Sequence, residues 1–359
     1  MTATANLTDY LVIDEKQEDR LTDLYARYRK LSETPDTCRP MIIINTPVQA
    51  LPVWEERLAD PLIMLKAELD QIRPHLALED DRVPTVRVQF GTAQVAAAFG
   101  CEMFVPPNNL PAAGSHVVTS SDAVFRTNVP SLDAGWYGKL AEWTDVWKNN
   151  LPAGVHIQHP DIQSAFNSAH LIRGNDILLD FYDAPKAVGH LLDTVTDFMI
   201  AETKHLKTMI SDDKKFFFDW GSMWKGAARI SNCSMHLISP DWYREHVFPR
   251  DVRFFKAVGG GRMHYCGSYG EVIDEFFKVP DITGLDFDIV HHDFHAVCGK
   301  APAHVVLTAT GGPRADHPFI KRLLAGDWPK KRNIIIPVAA ASIDEGKQLL
   351  AALQKSMPY

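Results

Sequence analysis

The stretch Gly261-Arg-Met-His-Tyr-Cys-Gly-Ser-Tyr-Gly-Glu-Val-Ile-Asp-Glu-Phe-Phe277 predicts a strand that is followed at once by a helix. Residues two apart in a strand point to the same face, so the imidazole of His264 and the thiol of Cys266 meet the first requirement for sharing one zinc ion. Ser268 and Glu271 have the spacing of a capping box, so the helix is expected to begin just behind the thiol and to favour a thiolate. Ligands at the end of a strand that precedes a helix are typical of a catalytic position in an α/β barrel. The alternative is a core histidine beside a buried free thiol.

Outward from this stretch, the chain has the composition of an ordinary globular protein. Its 359 residues, 46% of them hydrophobic, can bury a sizeable core. The absence of repeats or an obvious linker predicts one domain over residues 1–359. A formal charge of −8 argues against nucleic-acid binding. Five scattered cysteines predict reduced thiols. No apolar run reaches membrane-spanning length and Met1–Asp9 lacks the features of a signal peptide, so we expect a cytoplasmic protein with no membrane partner.

Short β-rich runs recur between longer helical patterns along the chain. The predicted strands, eight in all, cover residues 40–45, 85–90, 154–159, 215–220, 262–266, 283–288, 303–308 and 332–337. Strands that alternate with helices pair in parallel, and eight such units predict the α/β class and a (β/α)8 TIM barrel. The helical run 17–31 is then an extra N-terminal segment.

In such a barrel the active site lies at the C-terminal ends of the strands. The polar or aromatic residues expected there to bind substrate are Asn45, Gln89, Gln158 and Trp220, with Arg314 in the turn after the seventh strand. The predicted catalytic residues are Asp219, His264, Cys266 and Asp288. Asp286 and Asp288 share one face of the next strand, so a carboxylate there could join His264 and Cys266 on a metal. The alternative for both is a helix cap or a bond to substrate hydroxyls.

Four passages carry a family resemblance. They are Phe99-Gly-Cys-Glu102, residues 174–185, Leu237-Ile-Ser-Pro-Asp-Trp-Tyr243 with the following Phe248-Pro249, and Met263-His-Tyr-Cys-Gly267. In this order they resemble the uroporphyrinogen decarboxylase superfamily, over roughly residues 40–353. That superfamily contains porphyrinogen decarboxylases and zinc-dependent corrinoid methyltransferases. The resemblance implies a (β/α)8 barrel with its site in the barrel mouth.

The methyltransferase branch is the better match at the site. Its members carry His-x-Cys at the position of His264 and Cys266, which implies zinc and a methyl group moved between a small substrate or thiol and methylcobalamin on a separate corrinoid protein. The decarboxylases carry an arginine-rich segment near the first strand, where this chain offers only Arg39, and this disfavours a porphyrinogen substrate. The family's third zinc ligand, a Cys after the last strand, is absent from residues 336–342.

Several residues are candidates for the missing ligand. Asp288 is predicted to complete the metal site, with Asp219 as another acid, base or ligand. Cys233 is also a candidate because its segment is expected to cross the mouth.

Two further functions stay open at the level of sequence. One is a metal-free lyase, a decarboxylase of a small carboxylic acid, in which Asp219 and His264 protonate a carbanion and Arg39 or Arg314 holds a carboxylate. The other is a non-catalytic ligand-binding relative. A homodimer is compatible with the sequence, which does not determine the oligomeric state.

Overall fold

Helices and short strands alternate along the computed structural model, which describes residues 6–33, 38–48, 50–211 and 213–358. The strands in these ranges are β1 (Met41–Asn45), β2 (Thr85–Val86), β3 (Met103–Phe104), β4 (Ala112–Ala113), β5 (His156–Ile157), β6 (Ile162–Gln163), β7 (Phe216–Asp219), β8 (Ser222–Lys225), β9 (Ala228–Ser231), β10 (Gly261–Tyr265), β11 (Ile282–Phe287), β12 (Val306–Ala309) and β13 (Ile334–Ala339). The expectation about an export signal in Met1–Asp9 falls partly outside the described residues.

The helices vary from single turns to more than seven turns. They are α1 (Glu15–Glu33), α2 (Trp54–Ala59), α3 (Pro61–Leu78), α4 (Gln94–Ala98), α5 (Ser121–Val124), α6 (Tyr137–Lys148), α7 (Ala165–Arg173), α8 (Asp176–Asp183), α9 (Pro185–Ile210), α10 (Pro240–Trp242), α11 (Phe248–Val258), α12 (Gly270–Phe276), α13 (Phe294–Lys300), α14 (Pro318–Leu324) and α15 (Ile343–Ser356). A 3-10 turn covers Cys233–Leu237 and a π-helical turn covers Tyr243–Val247. Among the described residues, we find no helix with the length and apolarity needed to cross a bilayer.

Seven of the strands form one sheet in the order β1-β13-β12-β11-β10-β9-β6. Every neighbouring pair in it is parallel. Parallel sheets have both faces covered, and β10 is buried along its whole length, as that arrangement requires. The α/β class predicted from the alternating pattern is confirmed.

A second, smaller parallel pair is formed by β2 and β5. In the described part of the chain no strand ladder joins β1 to β2. Instead, the carboxylates of Asp80 and Asp81 accept hydrogen bonds of 2.7 Å from the backbone N–H groups of Ile44 and Ile42. Side chains therefore satisfy the backbone donors of β1 where a neighbouring strand would otherwise do so.

The strand predicted over residues 215–220 forms as β7, but its expected place among the parallel strands is wrong, because β7 lies outside the main sheet. β7 pairs with β8 in an antiparallel hairpin. Trp220 and Gly221 form its two-residue turn with φ of 50° and 68°, the left-handed conformation that the favoured hairpin turns need. The place in the sheet is taken by β9, which lies between β6 and β10.

Two helix starts also differ from expectation. The capping box of Ser268 and Glu271 does not form, because α12 begins at Gly270 without a side-chain cap and the N–H of Tyr269 donates to the Tyr265 hydroxyl over 3.1 Å. The helix expected from residue 289 is α13, which begins later, behind an Asp293 cap. By contrast, the predicted helix over residues 185–210 is α9, with both ends confirmed.

Candidate metal centre and its cavity

The parallel register of β9 and β10 brings three potential metal ligands together. Ser231 lies opposite His264 in this ladder, and the N–H of Asn232 continues it by donating to the carbonyl oxygen of His264 over 2.8 Å. Two residues beyond that pair, Cys233 begins the 3-10 turn after β9 and Cys266 follows β10, so that both thiols lie near the imidazole. Ligand atoms of Cys233, His264 and Cys266 all lie within 4.8 Å of one another.

The next strand supplies a carboxylate behind the imidazole. Asp286 lies opposite His264 in the β10–β11 ladder, and its Oδ2 is 2.5 Å from His264 Nδ1. The Thr310 hydroxyl donates to the same oxygen over 3.4 Å. When Nδ1 donates to Asp286, Nε2 is the nitrogen left for a metal, which is the usual carboxylate–histidine–metal arrangement.

The charges of the group are set by these neighbours. Burial alone lowers the pKa of His264, but the Asp286 carboxylate outweighs it and raises the pKa to about 8. Arg262, His264 and Arg229 overcome the burial of Asp286 and hold the pKa of its carboxyl well below the usual range. Hydrogen bonds from Cys233 and His264 lower the pKa of the Cys266 thiol. The bond to Cys266, together with burial, raises the pKa of Cys233.

The donor set fits a zinc ion. Two thiols and an imidazole are ligands that zinc prefers, and three protein ligands leave a fourth position open, as in catalytic zinc sites. The cysteines are accessible enough to reach an incoming ligand, since Cys266 is exposed and Cys233 half-buried. The group could therefore hold a metal ion.

A cavity of about 570 Å³ lies beside the group, and His264 forms part of its wall. Polar and aromatic residues of its lining include Asn45, Arg82, Asp161, Trp220, Arg229, Arg262, Asp286, Thr308 and Thr310. Trp220, at the tip of the β7–β8 hairpin, has about half of its surface exposed there. The hairpin thus brings an aromatic ring to the cavity wall, and the guanidinium of Arg87 lies 4.8 Å from that ring's centroid.

Asp219 is buried at the start of the hairpin turn and is fully engaged by arginines. Its two carboxylate oxygens accept hydrogen bonds from Arg87 and Arg262. Arg229 approaches the same carboxylate within 3.8 Å. A carboxylate bonded by two guanidinium groups acts as a counter-ion, so Asp219 is poorly placed to carry a proton as the sequence suggested.

Other acids pair with the same arginines. Arg229 also lies 3.0 Å from Asp161 and 3.6 Å from Asp286, and Arg262 lies 3.7 Å from Asp286. The sequence offered only Arg39 near the first strand, and Arg39 is exposed. The fold instead gathers arginines from separate elements, but these carboxylates neutralise them, so they do not form a free site for a polyanion.

The structure brings together some of the predicted site residues and not others. Asn45, Trp220 and His264 line the cavity, and Cys266 joins His264 in the metal group. The remaining residues lie elsewhere: Gln89 and Gln158 are outside the cavity lining, and Arg314 is exposed beyond it. Asp288 is not part of the metal group; its Oδ1 accepts a 2.7 Å hydrogen bond from the N–H of Val290.

The fold resembles that of a methyltransferase from Methanosarcina mazei. The two structures superimpose with a TM-score of 0.68 over 92% of this chain and 98% of that chain, at 16% sequence identity. No protein-family model and no curated protein matches the sequence. At this identity the likeness establishes the shared fold.

Cys233 was only one of several candidates for the third ligand in the sequence, although the structure places it beside His264 and Cys266. Its signal was present: once Ala228–Ser231 is read as a strand, the thiol follows that strand as Cys266 follows β10. The aromatic run of β7 has a strong strand signal, and from sequence alone it was β7 and not β9 that was expected among the parallel strands. Arg82 lies before β2 and belongs to no recognisable motif, so the sequence alone offered no reason to select it.

Proposed function

We propose that this protein is a zinc-dependent methyltransferase of the uroporphyrinogen decarboxylase superfamily. It moves a methyl group between a small methylated substrate or thiol and a corrinoid carried by a separate protein. The observation that carries the proposal is the group of Cys233, His264 and Cys266, of which His264 lines a cavity. The resemblance of the sequence motifs and the likeness to a methyltransferase fold support it. The same proposal includes a closed barrel, in which Asp80 and Asp81 bridge β1 to the segment before β2.

The chain's own residues account for the environment of the reaction. A zinc ion bound by the three ligands would supply the Lewis acidity that lowers the pKa of a substrate thiol. Asp286 holds the imidazole of His264 in one orientation and one tautomer. Trp220 gives the substrate an apolar surface to lie against, so that its reacting atom is directed to the side of His264.

Metal analysis tests the first part of this proposal. We expect stoichiometric zinc in the wild-type protein and a large loss of zinc in Cys233→Ser and in Cys266→Ser, because each removes one of three ligands. Cys101→Ala, at a buried thiol outside the group, should retain the metal. A wild-type protein without metal, whose activity is unchanged by a chelator, would remove the mechanism.

Methyl transfer is tested separately. Methylcobalamin in solution can stand in for the carrier, and its demethylation by a thiol is followed by absorbance. We expect the zinc-loaded wild type to accelerate the reaction and Cys266→Ser to lose about 100-fold or more of that rate. A folded, zinc-loaded protein that accelerates transfer to no thiol and from no methylated donor would leave a binding role in place of catalysis.

A further inference from the structure

Arg82 differs from the other arginines of the cavity because it lacks an acidic partner. Its Nη2 donates to Asn45 Oδ1 over 2.8 Å, and this is the guanidinium's one hydrogen bond to the described residues. Nε is fully buried without a partner. Arg229 and Arg262, which line the same cavity, each pair with carboxylates. Within the described chain, the cavity wall therefore holds one unpaired cation.

The nearest acid is already committed to other groups. Asp80 Oδ2 accepts from the N–H of Ile44 over 2.7 Å and lies 2.9 Å from His75 Nδ1. Asp80 Oδ1 accepts the backbone N–H of Arg82 over 3.1 Å and not the guanidinium. Asp80 still attracts the guanidinium at longer range, but burial is the larger influence and lowers the pKa of Arg82. Burying a guanidinium without a carboxylate partner costs free energy, and a bound anion that pairs with it would offset that cost.

Two glycines determine where this cation can lie. A Cβ at Gly221 would stand 2.6 Å from Arg82 Cγ, and one at Gly312 would stand 2.7 Å from Asn45 Nδ2. Both glycines are in the left-handed region, with φ of 68° and 64°. Backbone therefore packs closely against the stem of Arg82 and against its amide partner, so the guanidinium is positioned before any ligand arrives.

We infer that Arg82 binds a carboxylate of the substrate, so that the cavity selects small organic monoanions. The free Nη1 of Arg82, which lines the cavity, donates to the carboxylate, and Asn45 keeps the guanidinium in place. A second or third carboxylate would find only arginines that are already paired. That the other end of this substrate is methylated or demethylated rests on the proposed function, whereas the binding of its carboxylate by Arg82 does not.

Propionate and its neutral isostere propionamide test the inference, with affinities measured by ligand-observed NMR titration. The titrations use metal-free and zinc-loaded protein. Wild type should bind propionate about ten-fold or more tightly than propionamide, as a charge-assisted hydrogen bond predicts. Arg82→Gln should lose that preference, and Arg82→Lys should keep part of it because it retains the charge but loses the guanidinium that Asn45 holds in place. Arg126→Gln, an exposed arginine far from the cavity lining, is the matched control and should behave as wild type.

Thermal unfolding of each variant establishes that it is folded before binding is compared. Equal affinities of wild type for the two probes overturn the inference, and so does an unchanged preference in Arg82→Gln. If the glutamine variant does not fold, the lysine variant decides, because a preference equal to that of wild type would show that a guanidinium held by Asn45 is not needed. A preference for propionate in folded, zinc-loaded protein that accelerates no methyl transfer removes the proposed function and leaves this inference standing.

Discussion

Asp286 is the side chain that orients the metal group without belonging to it. Its carboxylate is hydrogen-bonded to Nδ1 of His264 and forms ion pairs with Arg229 and Arg262. Because these arginines favour its ionised form and lower the pKa of its carboxyl, Asp286 can accept a hydrogen bond from His264 Nδ1. Asp286 therefore orients Nε2 of His264 toward the metal position, although Asp286 itself is not a ligand.

Replacing this aspartate should weaken the metal site measurably. We expect Asp286→Asn to lower zinc affinity about 10- to 100-fold, because the amide no longer orients and polarises the imidazole. Competition with a chromophoric chelator measures the change. Asp288→Asn, made in parallel, tests the sequence-based prediction that Asp288 is a ligand: a comparable loss there would contradict the geometry described above.

Glu202 in α9 provides a separate expectation about pH. It is buried, its Oε2 has no partner among the described residues, and burial raises the pKa of the carboxyl from 4.5 to about 8. Between these two values the folded protein keeps a proton that the unfolded chain releases, so the free energy of unfolding falls as pH rises.

Glu202→Gln should remove this contribution. Chemical denaturation at pH 5 and pH 8 measures it as the difference between variant and wild type, so that other titrating groups cancel. We expect little difference at pH 5 and a variant more stable by on the order of 2 kcal/mol at pH 8. A difference that does not change with pH would show that Glu202 ionises normally.

At the scale of elements, the β7–β8 hairpin is the unit that shapes the cavity. α1 packs against β8, and the tip residues Asp219 and Trp220 contact arginines beneath the cavity. Gly221 completes the turn directly against the stem of Arg82. The hairpin therefore couples the N-terminal helix to the cavity wall.

A pair of glycine substitutions isolates this contact. Gly221→Ala should cost about 1–3 kcal/mol of unfolding free energy, from its positive φ and from the clash with Arg82. Gly259→Ala is the matched control, because Gly259 also has a positive φ, 85°, but open space around its Cβ position, and should cost about 1 kcal/mol. Equal costs for the two variants would mean that the neighbourhood of Arg82 yields without strain.

The helices and strands also show which parts of the fold could be predicted from the sequence. Periodicity located α9 and most strands because amphipathic spacing is a local property. The pairing of β7 with β8 was missed because an aromatic run has the same strand propensity in a hairpin as in a sheet. Cys233 and Arg82 could not be ranked highly from the sequence, because their importance depends on register and on which carboxylates remain unpaired.

On the scale of the whole molecule, a metal at this site would join chain segments that follow two adjacent strands. Cys233 lies after β9, while His264 and Cys266 belong to β10 and its end. Because the unfolded chain does not present these ligands together, metal binding adds to the free energy of unfolding.

Zinc should therefore stabilise the entire fold. We expect the thermal midpoint of wild type to rise with free zinc concentration, by an amount equivalent to about 4 kcal/mol at 1,000 times the dissociation constant. Cys266→Ser should show little of this rise, and Cys101→Ala all of it. A midpoint that is independent of zinc in wild type would contradict a structural contribution from the metal.

The alignment of β9 with β10 has a consequence for how this site can vary among related sequences. Because the third ligand comes from a neighbouring strand and not from the end of the last one, the centre survives any change in the loops between the strands but no insertion or deletion between Ser231 and Cys233. A shift of one residue there would place a residue other than Cys233 at the start of the 3-10 turn, next to His264 and Cys266. Relatives that share this centre should therefore be found by a cysteine two residues past the end of one strand and a His-x-Cys on the next, whatever the length between them.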